Sequence, residues 1–214
     1  MARSAVTVGL VLMLAGCGEK ASDAKNALNA VAAVTSGRVE EGLKDAERFQ
    51  QERVAKGDTL AMPYGDLQKL LPTDVSGYTA TGEPEGSSQS MAGFSMSQAS
   101  RTWAGPAGSE GSTPEVEVTL IDFGGTQSGY AMMAAPMLMG FSQEDSHRRT
   151  GSVKLDLEHT AGWEEFNKDS KDAKFTAVTR YRYVITVEAR NHGADQSKMV
   201  KDLAVDIAKN FAGK

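Results

Sequence analysis

From Glu115 to Phe123 the chain reads Glu-Val-Glu-Val-Thr-Leu-Ile-Asp-Phe, with Val116, Val118 and Leu120 on one side of an extended backbone and Glu115, Glu117 and Thr119 on the other. Successive side chains of a strand point to opposite faces, so this alternation marks a strand with one face buried and one wet. A second run, Lys174–Ala189, sets Tyr181, Tyr183, Ile185 and Val187 against Arg180, Arg182 and Thr186. It exceeds the usual strand length of about five or six residues, so a turn near Thr179 is expected to split it.

Half-buried strands need a cover. The closing segment Asp195–Phe211 supplies one, because Val200, Leu203, Ile207 and Phe211 recur at helical spacing as one apolar stripe, with Gly213 placed as a C-terminal cap. A short helix is expected at Tyr64–Leu71, stopped by Pro72. Further strands are expected at Met91–Trp103, Gly151–Glu158 and Gly162–Lys168, with Gly/Pro/Ser turns at 82–88 and 105–114. Helix, strands, helix, strands, helix with short links predicts an α+β domain: a mainly antiparallel sheet with helices packed on one face.

Residues 19–57 differ in kind. They are rich in Ala, Lys, Glu, Gln and Arg, with Leu28, Val31, Val34, Val39, Leu43, Ala46 and Phe49 at mostly helical spacing. Gly37 and Gly42 each cost about 1 kcal/mol in a helix interior, which predicts a break or fraying there. The narrow Ala/Val side suits a tether helix packed loosely on the domain. The expected organisation is a leader at 1–16, a largely helical tether at 17–58 and a globular α+β domain at 59–214.

The first residues, Met-Ala-Arg-Ser, precede an apolar run from Ala5 to Leu14 and then Ala15-Gly16-Cys17. That run falls short of the roughly 20 residues a membrane-spanning helix needs. Leu14-Ala15-Gly16-Cys17 resembles the lipobox of bacterial lipoproteins, a likeness that covers the leader alone. It implies cleavage before Cys17, lipid attached to the Cys17 thiol and a mature chain held on a membrane. Two or three acyl chains make such attachment long-lived. Cys17 is the single cysteine of the chain, so an oxidising compartment offers it no partner within the chain. Gly18 stands where lipoproteins kept at the inner membrane carry aspartate, so the resemblance implies the outer membrane, facing the periplasm.

Removing the leader with Arg3 leaves 22 basic and 28 acidic side chains, a net charge of −6. A chain of this sign has no electrostatic reason to seek nucleic acid or anionic headgroups. The expected partners are the membrane, through lipid on Cys17, and an apolar ligand or an envelope protein.

Motifs for catalysis or metal binding do not emerge. His147, His159 and His192 are not spaced to share a helix face, and neither H-E-x-x-H nor C-x-x-C occurs, so no metal site and no cofactor are expected. A G-x-S-x-G elbow is missing, and Ser22-Asp-Ala-Lys25 lacks the companion motifs of the enzymes that use S-x-x-K. Gly108-Ser-Glu-Gly111 lies in a loop without the Lys-Ser/Thr of a phosphate cradle. Asp122, at a strand end beside Gly124-Gly125, reads as a turn-former. No catalytic residue is assigned.

The most unusual local composition is 130–141, with Met132, Met133, Met137 and Met139 in an expected helix from Thr126 to Gly140. Thioethers can ligate Cu(I), and flexible Met-rich surfaces accept apolar ligands. The spacing spreads these methionines around the helix, which favours packing on the sheet, and the four stand as the candidate apolar ligand surface. The functional expectation is an envelope lipoprotein acting as a binding or organising module. A pocket of converging titratable groups would instead mark an envelope hydrolase or other enzyme. An exposed apolar stripe on the tether would mark a structural partner of a membrane complex.

Overall fold

The computed structural model describes residues 37, 40–91, 94–107, 112–124, 137 and 140–211. Cys17, Met132, Met133, Met139 and Gly213 lie outside the described residues. Residues 35–214 make up one compact unit.

The alternating segment folds as expected. Strand β4 (Glu115–Asp122) buries every second residue, Val116, Val118, Leu120 and Asp122. Before it come β1 (Thr79–Ala80), β2 (Glu85–Met91) and β3 (Phe94–Ala104). After it come β5 (Ser142–Glu144), β6 (Arg148–Lys154), β7 (Thr160–Asn167), β8 (Ala173–Thr179) and β9 (Tyr183–Arg190). The long 174–189 run does split after Thr179. The nine strands form one sheet in the order β1-β3-β4-β9-β8-β7-β6-β5, with β2 also on β3, and the pairings are antiparallel. The fold is α+β.

Helical stretches among the described residues include α1 (residues 40–55), α2 (Tyr64–Gln68) and α3 (Ser197–Lys209). On one face, Trp103, Val118, Leu120, Phe175, Ile185 and Val187 are fully buried beneath Leu67 of α2, Val200, Ala204 and Ile207 of α3, and Phe211 just beyond it. The expected α3 stripe holds at Val200, Ile207 and Phe211. Leu203 is only partly buried, and Ala204 takes the innermost place, where a methyl lets the helix backbone approach the strands.

Among the described residues, the opposite face is covered at one end only. There Val178 and Val184 are buried with Ala46 of α1 and with Met137, which is itself helical. Gly42 lies inside α1 and is buried, so the break expected there does not occur. The rest of this face carries charged side chains such as Glu117, Glu188 and Arg190, joined in ion pairs.

Strand β2 corrects the sequence reading, which has a turn at 82–88. Every residue of β2 is exposed, so no buried face existed to impose an alternation that could be read. The same holds for β5.

Candidate functional site

The end of the sheet beside α1 concentrates the unusual chemistry. Asp122 closes β4 and forms the turn its position suggests, its carboxylate accepting the Gly124 N–H two residues on, but it does so while fully buried. Arg182 Nε and Nη2 donate to its two carboxylate oxygens at 2.6 and 2.8 Å. The same carboxylate accepts the N–H groups of Met62 and Gly124, each at 2.7 Å. Arg182 Nη1 reaches Asp58 at 2.7 Å and Nη2 the Leu60 carbonyl at 2.9 Å, while Ser95 Oγ accepts the Ala61 N–H at 2.8 Å. Residues 58–62 are thereby strapped across the end of the sheet. Burial works against the Arg182 charge, but the bonds and charge of Asp122 outweigh it and raise its proton affinity. The strap crosses Gly124 closely. A Cβ there would lie 2.8 Å from the Ala61 nitrogen and 2.9 Å from the Ser95 carbonyl oxygen.

The link between β8 and β9 is strained. Arg180 and Tyr181 have φ of 52° and 57°, and the Arg182 N–H closes on the Thr179 carbonyl at 3.2 Å. This is a type I′ turn, which favours Asn-Gly, and each side chain forced into the left-handed region costs roughly 1–2 kcal/mol. His159, whose carbonyl accepts the Arg180 N–H at 2.8 Å, also has positive φ, 52°.

Helix α1 holds this turn in place. The Phe49 ring packs 4.7 Å from His159 and 5.1 Å from Tyr181, centroid to centroid. The Tyr181 hydroxyl donates to Asp45 at 3.3 Å and lies 3.1 Å from His159 Nδ1, which serves as donor when the single hydroxyl proton points at Asp45. Burial first, and then Asp45, pushes the Tyr181 phenol up to about 12, so it stays neutral at physiological pH. Arg180 and Arg48 each set a guanidinium over the Phe49 ring, at 5.6 and 5.7 Å.

Between α1 and the turn lies a cavity of about 150 Å³, lined by Arg53, Lys56, Arg180 and Arg182, with Phe49, Tyr183, Glu52 and Asp58. Four cations converge here in a chain of net charge −5. Asp58 is engaged by Arg182, whereas Arg53 and Lys56 have no side-chain ion pair among the described residues. Arg53 Nε is buried with no hydrogen-bond partner. Burial, followed by repulsion from Arg182, lowers the proton affinity of Arg53. Arg182, Arg53 and Lys56 escaped the sequence reading because each is unremarkable alone. The one sequence signal was Arg180-Tyr181-Arg182 at a tight turn without Gly or Asn.

Two other cavities are less distinctive. One of about 520 Å³ runs beside α3 over Val75, Met199 and Leu203, rimmed by Asp195, Asp202 and Asp206. Another, of about 330 Å³, sits on the open face, where Arg148 and Glu165 pair with each other. Of the four candidate methionines, Met137 is 9% exposed in the core against Val178 and Val184, the packing role. The three histidines are far apart in role: His147 is exposed against Asp169, His159 belongs to the turn, and His192 bonds Tyr78 at 3.0 Å. Among the described residues, no group of three or more His, Cys, Asp or Glu side chains is placed to hold a metal ion.

Comparison with known proteins leaves the chain without a family. No family model matches it, and no curated protein does. Its backbone is similar to that of the extracellular domain of PknH from Mycobacterium tuberculosis, with a TM-score of 0.46 and 11% sequence identity. That similarity covers 73% of this chain and 100% of the other. Among the described residues no helix is long and apolar enough to cross a membrane.

Proposed function

We propose that the protein is an envelope lipoprotein that works as a binding module, held on the membrane by lipid on Cys17, at the outer membrane and facing the periplasm. The observation that carries this reading is the lipobox Leu14-Ala15-Gly16-Cys17 behind a short apolar run, with no second cysteine in the chain. The folded unit then supplies the binding surface, and the cationic cavity between α1 and the β8–β9 turn is its site. Binding is favoured over catalysis because the cavity gathers Arg53, Lys56, Arg180 and Arg182 with Glu52, Asp58 and Tyr183, and among its described residues there is no serine, threonine, cysteine or histidine to act as a nucleophile or an imidazole base.

The test is intact-mass measurement of the protein extracted from a bacterial envelope. The expected product begins at Cys17 and carries added acyl mass, and Cys17→Ala yields an uncleaved precursor. An unmodified mature cysteine would overturn the lipid anchor. Separation of inner and outer membranes then tests the location, with the protein expected in the outer fraction.

A further inference from the structure

Strand β2 leaves a long edge of the sheet open. It reads Glu85-Gly-Ser-Ser-Gln-Ser-Met91, seven residues, all of them exposed, and it pairs with β3. The edge strand at the other side of the sheet, β5, has three residues. Only two residues separate Met91 from its partner Phe94, so that closing pair exchanges both backbone hydrogen bonds. Bonded pairs then recur at every second position, at Gln89↔Met96, Ser87↔Gln98 and Glu85↔Ser100. Gly86, Ser88 and Ser90, which alternate with them, therefore turn their N–H and C=O groups outward. Among the described residues no further strand or backbone group meets that edge. Exposed edges are usually blunted by Lys, by Pro, by a bulge or by a covering segment. β2 contains neither Lys nor Pro, its register on β3 is unbroken, and its one charged side chain is Glu85. The strand is also held ready, because Ser88 Oγ accepts the Tyr64 N–H at 3.0 Å and bonds Ser97 Oγ at 2.8 Å.

We infer that β2 is a pairing edge for a second copy of the chain, the two β2 strands running antiparallel about a two-fold axis at Ser88. The register follows from which groups face outward. An axis at Ser88 sets Ser88 opposite its own equivalent and Gly86 opposite Ser90, so every outward donor and acceptor of the strand finds a partner. Moving the axis to Ser87 opposes Ser90 to Pro84, which has no N–H, and moving it to Gln89 opposes Gly86 to Ala92, beyond the end of the strand. The chosen register also places Ser87 across from Gln89, a pair able to hydrogen-bond, and Glu85 across from Met91. The two Glu85 carboxylates then stand at opposite ends of the seam, about 20 Å apart at about 3.3 Å per residue, beyond a screening length of about 8–10 Å. A second copy is the occupant because the strand complements itself, while its short hydroxyl side chains offer neither an apolar pocket nor a charge pattern to select a foreign one. Attachment of both copies to one membrane would favour the encounter, but the pairing rests on β2 alone.

Cysteine cross-linking of the full-length protein in detergent tests the inference. Residues directly opposed in a bonded antiparallel pair have Cα atoms about 5.5 Å apart, inside the roughly 4.4–6.8 Å that a disulfide spans. Ser88→Cys should therefore give a disulfide-linked dimer on mild oxidation. Met91→Cys, at a position 71% exposed, should not, because the two copies of that residue lie about 20 Å apart. The parent chain, with Cys17 as its single thiol, sets the baseline. Adding Ser90→Pro to Ser88→Cys removes an outward N–H from each copy, spares the bonds between β2 and β3, and should weaken association about tenfold or more. Light scattering of the parent should give the mass of two chains per particle. A parent of one-chain mass, no linkage through Ser88→Cys, or equal linkage through Met91→Cys overturns the inference. So does a Ser90→Pro variant that links as well as its parent, or Ser88→Cys linked in envelope preparations to a different polypeptide. A melting temperature within the parent's range confirms that each variant is folded, and lipidation of Cys17, read by mass, is independent of every one of these results.

Discussion

Replacing Arg182 by Met removes the guanidinium and retains much of the apolar stem. Four hydrogen bonds disappear, two to Asp122, one to Asp58 and one to the Leu60 carbonyl. Asp122 stays fully buried, hydrogen-bonded by the N–H groups of Met62 and Gly124 with its ion-pair partner gone. Stranding one partner of a buried ion pair costs about 3–5 kcal/mol, a large share of the roughly 5–15 kcal/mol that holds a typical domain. With a urea dependence of about 2 kcal/mol per molar, the unfolding midpoint should fall by about 1.5–2.5 M. Fluorescence of Trp103, 1% exposed in the core, reports the transition. Adding Asp122→Asn to Arg182→Met should recover about half of the loss, because the charge is gone while an acceptor remains. A midpoint shift below about 0.5 M, or a double variant no more stable than the single one, would refute the stranded-charge argument.

Alkaline pH should unsettle the α1 contact. The Tyr181 phenol is raised from 10 to about 12, so the folded chain holds that proton more firmly than the unfolded chain. The associated stability is complete below pH 10 and is lost as pH climbs through 10 toward 12. Tyr181→Phe should flatten that part of the melting-temperature profile, and an unchanged alkaline slope counts against the assignment. Gly124→Ala should cost at least about 1–2 kcal/mol from its φ of +55° alone, before the clash with the strap, and an unchanged melting temperature would exclude the close approach. Phe211→Ala should cost about 3–5 kcal/mol, because the ring is fully buried 4.4 Å from that of Tyr183. Leu203→Ala, at a partly buried position, should cost clearly less in the same urea titration.

What could be read from the sequence tracks burial. Strand β4 and helix α3 announce themselves because each presents one dry face and one wet face, and the period of the side chains reports the geometry. The split of 174–189 was legible from length alone. By contrast, β2 has two wet faces and carries no period, and α1 keeps Gly42 because helix packing outweighs its intrinsic cost. The site was hidden for a different reason. Asp122 and Arg182 lie 60 residues apart, and Arg53 meets Arg180 only through the fold, so no local spacing encodes either encounter. The methionine cluster drew the eye by composition, yet its described member is core.

The strand order has a consequence for how the molecule assembles and comes apart. Strands β5 to β9 succeed one another as a chain of adjacent antiparallel neighbours, and β2 to β4 do the same, so each group can form from nearby parts of the sequence. Only the β4–β9 pairing, Glu115↔Arg190 through Asp122↔Tyr183, sews the two groups into one sheet. Closing that seam brings together segments distant in sequence, which is the slow kind of step in folding. The Asp122–Arg182 pair sits at one end of it like the last tooth of a zipper. Amide exchange along β4 and β9 should therefore accelerate together in the Arg182→Met protein, while the β6–β7 hairpin keeps its protection.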